Sequence, residues 1–158
     1  MKRIALAGAV LLAVSGFAQA QSLKLSAEDS RAIQSCIKEK AANNEADRCI
    51  GIIANPCLER PDGQSTHGQS QCYQREHLVW DDILNETYRR LQKQLNEKQR
   101  RSLREVQRVW IESRKQQCGF YSDFHEGGTI AIPAYASCFN TETARRAFYL
   151  LNFLDFGN

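Results

Sequence analysis

Six cysteines, Cys36, Cys49, Cys57, Cys72, Cys118 and Cys138, are the residues of this sequence with the most chemistry to offer. An even count invites three disulfides in an oxidising compartment. Pairing Cys36 with Cys49, Cys57 with Cys72 and Cys118 with Cys138 closes three short local loops, each worth roughly 3 kcal/mol in the chain-entropy picture. This pairing is the expected one, although spacing alone admits others. Together with His67 and His77, Cys57 and Cys72 also supply zinc-ligating atom types. Their spacing matches no standard zinc knuckle and no C-x-x-C pair is present, so oxidation is expected and no metal site is assigned.

Acid–base candidates come next. Glu76, His77, Asp81 and Asp82 crowd one stretch, and His125 stands beside Glu126; such groups do proton-transfer work only where they converge on a pocket. On a helix Asp82 points away from the apolar side while His77 falls on it, which favours a packed histidine over a catalytic one. Gly127-Gly128-Thr129 resembles a phosphate cradle in composition but lacks the preceding strand, the following helix and the lysine. The two glycines are better read as permitting positive φ in a tight turn. Asp81 and Arg114 fall near the inward edges of two long helices and are expected to form a partly buried ion pair beside Trp80 and Trp110, one that sets register more than it stabilises. Asn85-Glu86-Thr87 spells a glycosylation acceptor, but within a helix. No cofactor-binding motif is present, and these readings point to a binding module, not an enzyme.

The elements that must position these groups are helical throughout. Ser26-Ala27-Glu28-Asp29 resembles a capping box opening a helix that carries Ile33, Cys36 and Ile37 and ends near Ala42. Asn44 is placed to cap a short second helix with Ala46, Cys49, Ile50 and Ile53, ended by Pro56. Residues 55–71, with Pro56, Pro61, Asp62-Gly63 and Gly68, read as a loop tied by Cys57 and Cys72. Tyr73, His77, Trp80, Leu84, Tyr88, Leu91 and Leu95 then form one continuous stripe of a long amphipathic helix, with Arg75, Asp82, Glu86, Arg89, Arg90 and Lys93 opposite. A second long helix starts near Glu97 and runs to about Cys118, with Leu103, Val106, Trp110 and Ile111 inward. The short connection at Asn96 predicts an antiparallel pair. Residues 119–139 show no period and read as an irregular loop pinned by Cys118 and Cys138. Asn140 or Thr141 should cap a last helix with Glu142 in its first turn and Ala144, Phe148, Leu151 and Leu154 on its apolar face.

The first twenty residues predict an export signal: Lys2 and Arg3, an apolar run from Ile4 to Phe17, and Ala18-Gln19-Ala20 before a cleavage point at Gln21. The apolar run is short for a spanning helix, no later stretch is longer, and no lipidation cysteine follows the cleavage point. Removing residues 1–20 takes Lys2 and Arg3 from the 21 Lys and Arg, leaving 19 against 18 Asp and Glu, a formal charge of +1 over 138 residues. That length suits one domain, and the near-neutral balance argues against nucleic acid, whose binders carry a clear basic excess. The expected location is periplasmic or secreted, without stable membrane insertion.

Cys72-x3-Glu76-x3-Trp80-Asp81-x2-Leu84-Asn85-x2-Tyr88-x2-Leu91, followed by Gln107-Arg108-x-Trp110-x3-Arg114-x3-Cys118, resembles the LprI-like (lysozyme inhibitor LprI N-terminal) domain family. Gly127-Gly128-Thr129, Cys138 and Thr141-x3-Arg145 resemble its longer exported bacterial members. The likeness spans about residues 57–150, which divides the chain into signal 1–20, an N-terminal helical extension 21–56 and an LprI-like domain 57–158. It implies an all-α, disulfide-stapled extracytoplasmic domain built on a long antiparallel helix pair with shorter flanking helices. Glu76, Trp80, Asp81, Asn85, Tyr88, Trp110 and Arg114 are then structural motif residues. It further implies a protein partner, and lysozyme in particular. A plug for the cleft of a muramidase is sought in loop 119–139, in Tyr121, Asp123, His125, Glu126, Gly127, Gly128 and Thr129; loop 57–72 is the second choice. An envelope scaffold or assembly protein is the competing expectation, and a cell-wall hydrolase the third.

Overall fold

The computed structural model describes residues 24–40 and 45–155, and among them every regular element is a helix. α1 (Ala27–Lys40) is followed by a 3-10 turn (Ala46–Cys49), α2 (Ala54–Leu58), a second 3-10 turn (Pro61–Gly63), and three long helices, α3 (Thr66–Gln94), α4 (Glu97–Phe124) and α5 (Ala131–Asp155). The export signal, Ala42 and Asn44 lie outside the described residues. All three expected disulfides are formed, which leaves Cys57 and Cys72 bonded to each other and not available to zinc.

Ser26 opens α1 as expected, its Oγ accepting from the Asp29 N–H at 3.4 Å. The stretch read as loop 55–71 is mostly helical. Pro56 does not end a helix; it sits in the first turn of α2, where its missing N–H would have had no intrahelical partner. α3 begins at Thr66, upstream of the apolar stripe, because Ser65 caps it by accepting from the Gly68 N–H at 3.0 Å. Gly68 is required for space: a Cβ there would collide with the Asp62 carbonyl oxygen. Asn96 and Gln99 close a reciprocal capping box that starts α4 at the expected place.

The largest correction is at residues 119–139. No long irregular loop exists there. α4 runs on to Phe124 and α5 already begins at Ala131, so Cys118–Cys138 joins two helices across a turn of six residues. Pro133 stands in the first turn of α5, again where no hydrogen bond is lost. Asn140 and Thr141 cap nothing; they lie within α5, and Asn140 is buried.

The packing partner of α3 also differs from expectation. α3 makes its most extensive contact with α5, which in turn packs against α4, while α3 and α4 scarcely approach each other backbone to backbone. Matched contacts give the directions. Glu76 meets Asn140 and Trp80 meets Phe148, so α3 and α5 run parallel. Arg114 meets Thr143 and Gln107 meets Arg146, so α4 runs antiparallel to α5. α5 fills the seam because its inner face is narrow: Thr143, Ala144, Ala147 and Leu150 are fully buried. The core joins these to Ile33, Val79, Trp80, Leu84, Leu91 and Leu154. α4 buries only Gln107 and Cys118; Val106 and Ile111, expected inward, are exposed.

Candidate functional site

Of the acid–base candidates, Glu76 is fully buried and surrounded by donors. Its Oε1 accepts from the Gly51 N–H (2.8 Å), Trp80 Nε1 (3.1 Å) and Asn140 Nδ2 (2.9 Å), and its Oε2 from the Ile53 (3.0 Å) and Ala54 (2.9 Å) N–H groups. Two of these, the Ile53 and Ala54 N–H groups, are donors at the start of α2, which an α-helix leaves without partners of its own; Gly51 lies in the turn just before it. Glu76 thus ties the N-terminal segment, α3 and α5 together, and a carboxylate so enclosed has no free face for a substrate. A second tie is the bidentate pair between Arg75 and buried Asp29, at 2.7 Å for both bonds, which also holds the Arg75 pKa up.

The expected Asp81–Arg114 ion pair does not form. Asp81 accepts from Asn85 Nδ2 at 2.9 Å on the exposed side of α3, and Arg114 donates to Thr143 Oγ1 at 2.7 Å. The Arg114 guanidinium lies 3.8 Å from the Phe139 ring centroid and 4.4 Å from that of Trp110; Arg146 lies 5.4 Å from Trp110 and 4.6 Å from Tyr149. Phe139, Arg114, Trp110, Arg146 and Tyr149 therefore form a ladder of alternating rings and guanidiniums along the α4–α5 seam. Each rung contributes about 0.5–2 kcal/mol, so cation–π contacts hold α4 where apolar burial is slight. Burial lowers the pKa of both arginines, with no carboxylate bonded to either. Trp110 and Arg114 were legible as a motif; Phe139, Thr143 and Arg146 were missed, because nothing local marks them as the other side of the seam.

His77 is half-buried on α3, its ring 5.1 Å from Phe139. Burial lowers its pKa, with Asp81 opposing and Arg114 assisting. It borders a cleft with Ser70, Gln74, Ser122, Tyr135 and Phe139. No carboxylate or second histidine is among the residues lining that cleft, and the His77 ring packs against Phe139.

The remaining candidates gather at the α4–α5 turn. Tyr121 and Asp123 lie on the last turn of α4; Glu126, Gly127, Gly128 and Thr129 form the exposed turn itself, and half-buried His125 stacks on Tyr121 (6.4 Å, 16°) with Phe124 at its edge (5.1 Å, 86°). The turn is internally bonded, by Glu126 N–H to Asp123 O (3.1 Å), Gly127 N–H to Ser122 O (3.0 Å) and Gly128 N–H to His125 O (2.8 Å). Glu126 and Gly127 both take positive φ, 50° and 72°, which bends the chain back on itself. Phe120, Phe124, Ile130, Ile132 and Tyr135, absent from the sequence-based list, surround the turn and are exposed, Phe124 by 68%. From Gln116 to Ala144 there is no Lys or Arg, while Asp123, Glu126 and Glu142 are present. The result is a covalently clamped, exposed turn that carries apolar and acidic side chains.

A family model described as lysozyme inhibitor LprI matches residues 57–150. No curated protein and no solved structure matches the chain.

Proposed function

The chain belongs to the lysozyme inhibitor LprI family, and on that premise we propose that it acts outside the cytoplasm as a lysozyme inhibitor that presents the α4–α5 turn to the enzyme's cleft. The observation that carries this reading is the turn itself, which projects Phe120, Phe124, Ile130 and Ile132 into solvent beyond the Cys118–Cys138 clamp. A muramidase cleaves with two carboxyl groups set in a cleft, so an inhibitor gains by offering a rigid projection whose ordering cost has been met in the fold. The rings supply anchor area, and Asp123 and Glu126 are placed to meet cations on the cleft rim.

In this reading residues 21–56 act as an extension that closes the core around Glu76 and takes no part in the contact. Export depends on residues 1–20, removed before Gln21, to give a periplasmic or secreted protein whose disulfides persist there. A scaffold role without lysozyme binding has no feature of its own to favour it. A hydrolase would need Glu76 accessible, against its complete burial.

The test is a titration of oxidised residues 21–158 into c-type, g-type and i-type lysozymes while following lysis of cell-wall substrate. Saturable inhibition is expected for at least one type, weakened by Phe124→Ser, Asp123→Ala, Glu126→Ala or Thr129→Ala. A folded sample that inhibits none of the three sinks the proposal.

A further inference from the structure

The opposite end of α4 has the reverse character. Residues 86–108, which span the end of α3, the Asn96 turn and the start of α4, hold eight Lys or Arg against three acids. Residues 21–158 as a whole carry only +1, so the excess is local. Internal pairing does not neutralise it. Glu86 is met by Arg89 at 3.1 Å, and Glu97 is shared among Arg100 (2.9 Å), Arg101 (3.6 Å) and Arg104 (3.9 Å). Arg90, Lys93, Lys98 and Arg108 are exposed and have no acid within 4.0 Å among the described residues.

One of these cations directly borders apolar surface, and the others lie on the same corner of the fold. Lys98 stands on the rim of an open groove of ≈520 Å³ lined by Leu95, Leu103, Val106, Tyr149 and Phe153. Val106, Tyr149 and Phe153 are each nearly half exposed, and neighbouring Val109 is 70% exposed. Cations alone would suit any polyanion. Cations around protruding aliphatic and aromatic side chains suit the headgroup region of an anionic bilayer, where phosphates meet the charges and rings enter the headgroup–acyl boundary. No described helix is long and apolar enough to cross a membrane, so the contact would be peripheral.

We infer that the α3–α4 corner is a docking surface for an anionic phospholipid bilayer. Docked there, α4 carries the α4–α5 turn about 35 Å from its basic first turns, clear of the lipid. The inference rests on extracytoplasmic placement but not on lysozyme binding.

The experiment is co-sedimentation of oxidised residues 21–158, which retain every described element and all three disulfides, with vesicles of phosphatidylcholine alone or with a minority of phosphatidylglycerol. Binding is expected to the anionic vesicles only and should weaken as salt rises. The combined Arg90→Gln, Lys93→Gln, Lys98→Gln, Arg108→Gln variant, checked for native far-UV circular dichroism, should lose roughly fivefold in partitioning per cation removed. Phe153→Ser should weaken binding that persists at high salt. Equal binding to neutral vesicles, no binding to anionic ones, undiminished binding by the fourfold variant, or equally tight capture by soluble polyglutamate overturns the assignment. Lysozyme inhibition by the fourfold variant should stay at the wild-type level, so the two proposals fail independently.

Discussion

Two regions are closed by disulfides of similar reach, Cys57–Cys72 over 15 residues and Cys118–Cys138 over 20, and both contain Gly and Pro. They end in opposite states. The first is drawn into the core: Gly63, Gly68, Ser70 and Cys72 are buried, and just upstream the Gly51, Ile53 and Ala54 N–H groups converge on Glu76. The second bonds only to itself and projects its rings into solvent. A disulfide fixes the distance between two points on the chain; the segment between them packs where its backbone can approach closely, as Gly63 and Gly68 allow in the first region against Cys57 and Asp62, and Glu76 anchors the chain that leads into it. One staple locks a junction, and the other holds a protrusion.

The change with the largest expected effect strikes the buried acceptor. Glu76→Ala strands three backbone and two side-chain donors, and should cost about 4 kcal/mol in urea unfolding. A loss under about 1 kcal/mol would show that Glu76 does not anchor the junction that leads into the first region. Removing either staple by paired Cys→Ser changes should cost about 3 kcal/mol, but with different functional readouts. Without Cys57–Cys72 the folded fraction should inhibit normally, whereas without Cys118–Cys138 inhibition should fall even in samples that remain folded. At the glycines, Gly68→Ala should cost about 2 kcal/mol through collision with the Asp62 carbonyl. Gly127→Ala, with open space around it, should cost only about 1 kcal/mol for its positive φ.

His77 gives a smaller, pH-dependent contrast. Its folded pKa lies below the ordinary 6.5, so the unfolded chain takes up the proton first as pH falls. Its contribution is complete above about pH 6.5 and is lost as pH drops toward the folded value. The melting temperature should therefore fall from about pH 7 to about pH 5, and less steeply in His77→Phe, which keeps the stack on Phe139. Matching slopes would show that burial beside Arg114 does not govern this histidine. Smallest of all on stability is Phe124→Ser, expected within about 0.5 kcal/mol of wild type because the ring is already in water, yet it should weaken lysozyme inhibition measurably.

What the sequence determined by itself was whatever repeats or closes locally. The stripe from Tyr73 to Leu95 marked α3, Asn96 marked the start of α4, and the nearest-neighbour cysteine pairs marked the staples, because a helix face and a short loop are both written within a few turns of chain. The tertiary structure alone decided that Glu76 is a buried hub, that Arg114 lies between rings and not beside Asp81, and that α5 fills the seam from Ala131 onward. Each of these depends on partners 22 to 64 residues away. Helical order around Gly119 and Pro133 was hidden for the same reason: no strong apolar period accompanies it, since this end of the α4–α5 pair is held by a disulfide and by ring–guanidinium contacts across the seam, and its apolar side chains face water.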